Sequence, residues 1–194
     1  MMKKSLTIIV IILVLVVALS GCTTENVQDT PESTFDTFVE RINDEDGEGV
    51  IELTDVQFLN YSIFNEISDV VYSREEFEEN ITSIKESIDS GEIEINSYEI
   101  GEVIYLEDMD ESNKTNMTEM IDSINDNKYF NGTIQDMCKF NFSWDVNVDE
   151  DSPLKNKVEG VNDIDFMMMY KIDGKWYMPF PITGLAAILY QNLP

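Results

Sequence analysis

Residues 134–148 constrain the fold more than any other stretch. Ile134, Asp136, Cys138, Phe140, Phe142, Trp144, Val146 and Val148 fall on one parity, and Thr133, Gln135, Met137, Lys139, Asn141, Ser143, Asp145 and Asn147 fall on the other. Strict alternation is the signature of a β-strand with one buried face, because successive side chains point to opposite sides of the pleat. Fifteen residues exceed the usual strand length of about 5–6, so the expectation is one long, bent strand with a single buried face. A second alternating stretch, Val158 to Ile172, leads into Asp173-Gly174, a type I′ turn signal, and Lys175-Trp176-Tyr177-Met178 returns until Pro179 and Pro181 stop it.

Helical periodicity dominates the earlier half. Phe35, Phe38, Val39 and Ile42 predict an amphipathic helix that starts beyond Pro31 and ends at Asn43-Asp44-Glu45-Asp46-Gly47. Val50, Ile51 and Leu53 predict another turn or two. Residues 56–72 carry a mixed pattern that fits strand and helix equally. Phe77, Ile81, Ile84 and Ile88 make one apolar stripe over Arg74 to Asp89, with a Ser73–Glu76 capping box before it and Gly91 as the C-terminal cap. This stripe reads as core. Ile93 to Leu106 reads as a strand with a bulge near Gly101, Glu107 to Glu111 as a charged loop, and Thr115 to Asn125 as a further helix. Ile182 to Leu193 reads as a short apolar helix packed on the domain. Helices followed by a meander of antiparallel strands define an α+β class, here N-terminal helices on a curved, mainly antiparallel sheet.

The chain opens on Met1-Met2-Lys3-Lys4, a nearly unbroken aliphatic run from Leu6 to Leu19, and then Ser20-Gly21-Cys22. A basic start, an apolar stretch of this length and small residues at its end describe a secretory signal peptide, and the run falls short of the roughly 20 apolar residues that span a bilayer. Leu19-Ser20-Gly21-Cys22 resembles a lipobox, the site at which prokaryotic lipoproteins are cleaved and lipidated on cysteine. The expected organisation is therefore a signal peptide at 1–21, lipidation at Cys22, a flexible tether over 22–32 and a single acidic α+β domain over 33–194. The alternative is an uncleaved N-terminal transmembrane anchor. Either way the domain lies outside the cytoplasmic membrane, on its outer face.

The first and last parts of that domain, Phe35 to Leu53 and Tyr170-Lys171-Ile172-Asp173-Gly174-Lys175-Trp176-Tyr177, resemble those of nuclear-transport-factor-two-like (cystatin-like) domains. That resemblance implies a cone-shaped fold in which helices cover a strongly curved sheet. It extends over about half of the chain after Cys22, and the helix at Thr115 to Asn125 departs from it. It carries no catalytic residue to this sequence.

Charge narrows the partners. The chain has 39 acidic and 12 basic residues and a formal net charge of −27; without Lys3 and Lys4, 10 basic residues remain and the net charge is −29. Such a field opposes contact with nucleic acid phosphates and anionic headgroups and favours weak association with cations. The acids are dispersed along the chain, a pattern suited to a solvated surface in a saline setting.

No histidine is present, which removes Ser-His-Asp and Cys-His nucleophilic systems and histidine-based zinc sites. Cys138 is the one cysteine besides Cys22; it sits on the apolar parity and reads as a buried, inert thiol. Three acidic clusters, at Asp44 to Glu48, Glu107 to Glu111 and Asp149 to Asp151, offer oxygen ligands for calcium. With Gly47 as the sixth position of an EF-hand loop, however, Ile42 and Leu53 occupy the first and twelfth, so that motif fails. Met167-Met168-Met169 suggests a soft-metal site, but alternation separates Met168 from its neighbours. Of six Asn-x-Ser/Thr sequons, at Asn60, Asn80, Asn113, Asn116, Asn131 and Asn141, Asn113 and Asn116 are the plausible glycan acceptors.

The sequence thus assigns no catalytic residue, metal ligand or cofactor. Trp144, Tyr170, Trp176 and Tyr177 read as core, or alternatively as the lining of a cavity on the concave sheet face. The leading functional reading is a non-catalytic binding or cell-envelope interaction module. The alternative is a small-molecule-binding protein or isomerase-like enzyme using an Asp, Glu or Tyr in the curved sheet. A raised carboxyl in a concave pocket would favour the alternative; a face filled by Phe140, Phe142, Trp144 and Trp176 would favour the first. A third reading, a chaperone-like envelope factor, requires an exposed apolar patch.

Overall fold

A computed structural model describes residues 27–58, 74–128, 130–152, 155 and 166–179. The leader and Cys22, residues 59–73 with the Ser73 cap, most of the 153–165 segment and the apolar tail lie outside the described residues. The remainder is α+β, with helices followed by antiparallel sheets.

Helix α1 spans Pro31–Asn43. Thr30 is its N-cap: its hydroxyl accepts from Ser33 N–H and the Ser33 hydroxyl answers from the Thr30 N–H, a reciprocal capping box. Pro31 takes the first helical position, where its missing N–H costs nothing. The expected tether therefore gives its last two residues to the helix. Helix α2 (Gly47–Glu52) is capped by Asp46 and followed by a 3-10 turn at Asp55–Gln57. Helix α3 (Arg74–Asp89) ends on Gly91 at φ 71°, with Gly91 N–H bonded to Ile88 O and Glu92 N–H to Ser87 O, the paired bonds of a Schellman cap. Phe77, Ile84 and Ile88 on this helix are buried and Ile81 packs beside them, as the stripe requires.

Strands β1 (Ile93–Ile100) and β2 (Ile104–Tyr105) run antiparallel to β4 (Phe142–Val148) and β3 (Ile134–Phe140) respectively. The expected single strand over 134–148 is thus two strands parted at Asn141, and its partner is parted at residues 101–103. Both interruptions coincide because Gly101 N–H bonds to Asn141 O at 2.8 Å, and a Cβ on Gly101 would lie 3.2 Å from that oxygen. The bulge expected near Gly101 lies instead between Ile95 and Ser97. Strand β5 (Met167–Ile172) pairs with β3, and β6 (Lys175–Tyr177) closes the hairpin through Asp173 and Gly174 at φ 49° and 88°. Two consecutive positive φ values are what a type I′ turn demands.

The expectation of one buried face fails at β3 and β5. Met167 and Met169 join Phe35, Val39, Ile84, Cys138, Phe140 and Trp176 in one core; Met168, Tyr170 and Ile172 join Met137, Ile134 and Tyr177 in another. The second core exists because helix α4 (Glu111–Asn125), capped by Asp110, lays Met117, Ile121 and Ile124 over the sheet's other face. Helix α4 begins four residues earlier than its apolar spacing suggests, since Asp110 accepts from the Asn113 N–H at 3.1 Å. A second bulge, between Ile134 and Asp136, places Ile134 and Met137 together in the α4-side core.

Two asparagines tie helix ends to strand edges in the same manner. Asn43, last residue of α1, donates to Ile95 O at 3.0 Å and accepts from Ile95 N–H at 2.8 Å. Asn125, last residue of α4, donates to Ile134 O at 2.9 Å and accepts from Ile134 N–H at 2.7 Å. A carboxamide presents the same donor and acceptor pair as a peptide group, so each substitutes for one residue of a neighbouring strand.

Tyr98 on β1 donates from its hydroxyl to Asp36 on α1 at 2.7 Å. That bond to a carboxylate, with burial second, pushes the phenol up to about 12 from an ordinary 10.0. A raised folded pKa stabilises the fold fully below the unfolded value and loses that contribution as pH rises through the folded one. We therefore expect an alkaline loss of stability between about pH 10 and pH 12 that is smaller in Tyr98→Phe. Urea midpoints measured across that interval check it, and identical pH profiles for the two proteins would contradict it.

Candidate functional site

The sheet's apolar pattern is broken at one corner. On the α1-covered face, β3 carries Asp136 in line with buried Cys138 and Phe140. Cross-strand register sets Asp136 opposite Lys171 and Lys171 opposite Trp176, and the Lys171 ammonium lies 5.9 Å from the Trp176 ring centroid, a cation–π contact. One rung along, Tyr105 pairs with Cys138 and sets its ring 5.8 Å from Trp176, edge-on. Glu32, in the first turn of α1, brings a second carboxylate near Tyr105 and Cys138.

The electrostatics of this corner are unlike the rest of the surface. Burial raises the pKa of the Asp136 carboxyl; the Met137 N–H, which donates to it at 2.8 Å, and the Lys171 charge pull the other way, and the Glu107 charge adds to the rise. The Tyr105 phenol is raised by burial first and by Glu32 second. Burial drives the Cys138 thiol far above its ordinary value, which leaves it a packed, unreactive group. Asp136, Tyr105 and Lys171 are each half-buried. Register thus places a carboxyl, a phenol and an ammonium on the same sheet face as Trp176 and Cys138.

Beyond that corner the same face is filled. Phe35 is fully buried and packs on Phe140 edge-to-face at 5.8 Å, with Tyr98 at 5.4 Å and Phe142 at 6.1 Å. Phe142 and Trp144 meet edge-to-face at 5.3 Å. Of the aromatics considered for a cavity, Trp176 and Tyr177 are buried on opposite faces, Tyr170 is buried with Tyr177, and Trp144 is half-buried on the β1–β4 ribbon. They therefore do not line one cavity; three of the four are core.

The other sequence candidates have structural duties. In the first acidic cluster, Asp46 caps α2 and sits 4.0 Å from Arg41, Glu48 pairs with Lys85, and the Asp89 carboxylate accepts from Gly47 N–H at 2.7 Å. In the second, Asp110 caps α4, and its carboxyl is lowered by the Asn113 backbone and side-chain donors. In the third, Glu150 pairs with Lys155. Among the described residues no group of three or more carboxylates or cysteines is arranged to hold a metal ion. Asn113 lies in the first turn of α4 with its amide on Asp110 at 2.6 Å, and Asn116 is exposed one turn later. The three methionines divide between the cores as alternation requires.

Asp136, Lys171, Tyr105 and Glu32 were not singled out in the sequence, although one signal was present: Asp136 is a lone carboxylate on the apolar parity of its strand. Its partners come from three other elements, which no local spacing announces.

Among the described residues no helix is long and apolar enough to cross a membrane. In comparisons with known proteins the chain matches no family model, no curated protein and no solved structure.

Proposed function

We propose that the chain is a membrane-anchored extracytoplasmic lipoprotein whose acidic α+β domain serves as a non-catalytic binding or cell-envelope interaction module, built on the plan of the nuclear-transport-factor-two-like domains it resembles. The observation that carries this reading is the sequence Leu19-Ser20-Gly21-Cys22 at the end of a cationic, aliphatic leader. Two features support the non-catalytic part. No histidine exists to form a nucleophile–base pair, and the α1-covered sheet face is packed by Phe35, Phe140 and Trp176. The Asp136–Tyr105–Lys171 corner favours a second reading, a small-molecule-binding protein or isomerase-like enzyme, in which the raised Asp136 carboxyl handles a proton.

The anchor is tested by Cys22→Ser. Wild type is expected in the membrane fraction carrying metabolically incorporated fatty acid; the variant is expected to be unprocessed or released, without label. Retention and processing of the variant as in wild type would end the lipoprotein reading. The second reading is tested by Asp136→Asn: a small molecule bound through this corner should lose affinity, whereas a module that binds elsewhere keeps its partner.

A further inference from the structure

The chain enters the domain along the outer edge of β6. The Gln28 carboxamide donates to Trp176 O at 2.8 Å, and Trp176 N–H donates to Gln28 O at 2.9 Å. This reciprocal pair extends the β2–β3–β5–β6 sheet by one residue, on the side of β6 away from β5. Two residues later Thr30 caps α1 through Ser33. The strap is therefore pinned to the sheet and to the helix start within three positions.

Gln28 lies six positions beyond Cys22, with five residues between them. A chain advances at most about 3.3–3.6 Å per residue, so this stretch spans no more than roughly 20 Å even when fully extended. Immediately before Gln28 stands Val27, 40% exposed, the exposed large hydrophobic side chain among the described residues. Beside it the hairpin carries Lys171 and Lys175 around Asp173, with Asp29 and Glu32 on the strap side. With Asp136, which faces Lys171 across the ladder, this end carries two cations and four carboxylates, a milder excess than the 39 acidic and 12 basic residues of the chain. The milder excess matters because a strongly acidic face held near a lipid surface is repelled by anionic headgroups within a Debye length of about 8–10 Å.

We propose that the outer edge of β6, with the Asp173–Gly174 hairpin and strap residues 27–30, is the end of the domain that faces the anchoring bilayer. This rests on lipidation at Cys22 and adds an orientation to it: the β1–β4 ribbon points away from the membrane. Asn147 on β4 lies 13 residues along the β3–β4 strand pair from Ile134, whose rung runs through Ile172 to Lys175. The direct separation is set by α1, which runs 13 residues, about 20 Å at 1.5 Å per residue, from the strap to Asn43, whose clip on Ile95 lies opposite Val146.

The test uses full-length protein in phosphatidylcholine vesicles containing a spin-labelled lipid, with a fluorophore on a single introduced cysteine, Lys175→Cys or Asn147→Cys. Both positions are exposed, whereas Cys138 is fully buried and stays unlabelled. The Lys175→Cys probe is expected to be strongly quenched and the Asn147→Cys probe weakly. A long Gly/Ser insertion between residues 26 and 27 should erase the difference while leaving the protein on the vesicles. Equal quenching at both positions, or stronger quenching at 147, with the protein still vesicle-bound would overturn the orientation and leave the anchor standing. Protein that does not co-float with the vesicles would overturn the anchor, and the orientation with it.

Discussion

Phe35→Ala is expected to cost about 3–5 kcal/mol of folding free energy, the usual range for a large aromatic removed from a core without collapse of the space it leaves. Phe35 has no exposed surface, and its ring contacts Phe38 on its own helix, Phe140 of β3, Tyr98 of β1 and Phe142 of β4. It therefore ties α1 to both the four-stranded sheet and the two-stranded ribbon. Neighbours drawn from four separate backbone segments cannot close the gap without disturbing one another, which places the loss toward the upper part of the range. Edge-to-face contact with Phe140 adds a geometric component of about 0.5–1.5 kcal/mol beyond area burial. Urea unfolding at fixed ionic strength measures the loss, and a change below about 1 kcal/mol would contradict the packing described.

Asn43→Ala is expected to cost about 1–3 kcal/mol, although the residue is polar and stands at a helix end. The reason is that its loss strips partners from two groups of Ile95 at once, one N–H and one C=O, and unmade hydrogen bonds of buried groups are more costly than made ones are favourable. The side chain of Ile95 is buried at 4% exposure, so water reaches that backbone poorly. Because the bulge in β1 begins at Ile95, the clip also fixes the register of the β1–β4 ribbon. Asn43→Asp is the sharper comparison: it keeps the acceptor and loses the donor, so it should recover only part of the loss. Asn125→Ala, which severs the equivalent clip on Ile134, should behave alike, and the two losses should add if the two cores are independent. Hydrogen exchange at Ile95 would show the local release directly; unchanged protection in Asn43→Ala would contradict it.

Much of this architecture is legible in residues that act locally. Phe77, Ile81, Ile84 and Ile88 with Gly91 define α3 because helix periodicity and a left-handed cap are both local, and Asp173-Gly174 defines its hairpin for the same reason. The division of Met167, Met168 and Met169 between two cores follows from the pleat alone. What the alternation over 134–148 could not reveal is its interruption, since Asn141 breaks the strand where Gly101, 40 positions earlier, meets it across the ladder. The second buried face was concealed too, because α4 covers it from the far end of a loop, and burial of Met137 depends on that docking. The Asp136 corner fell between these cases. A carboxylate on an apolar parity was visible, but Lys171, Tyr105 and Glu32 reach it only through cross-strand register and the start of α1. Reciprocal Asn clips leave no sequence trace, because an asparagine at a helix end reads as a cap or a turn residue.

The exposed ion pairs contribute little to this account. Arg41–Glu52, Lys85–Glu48 and Glu150–Lys155 all have at least one largely exposed partner, and pairs of that kind are each worth about 0–1 kcal/mol. Stability comes instead from the two cores on either side of the β3–β5–β6 sheet.

The attachment itself is tested most directly by the intact mass and N-terminal residue of the protein extracted from membranes. The expected product is a chain that begins at Cys22, lacks residues 1–21 and carries the added mass of a lipid. A chain that begins at Met1 or Met2 with no added mass would contradict it.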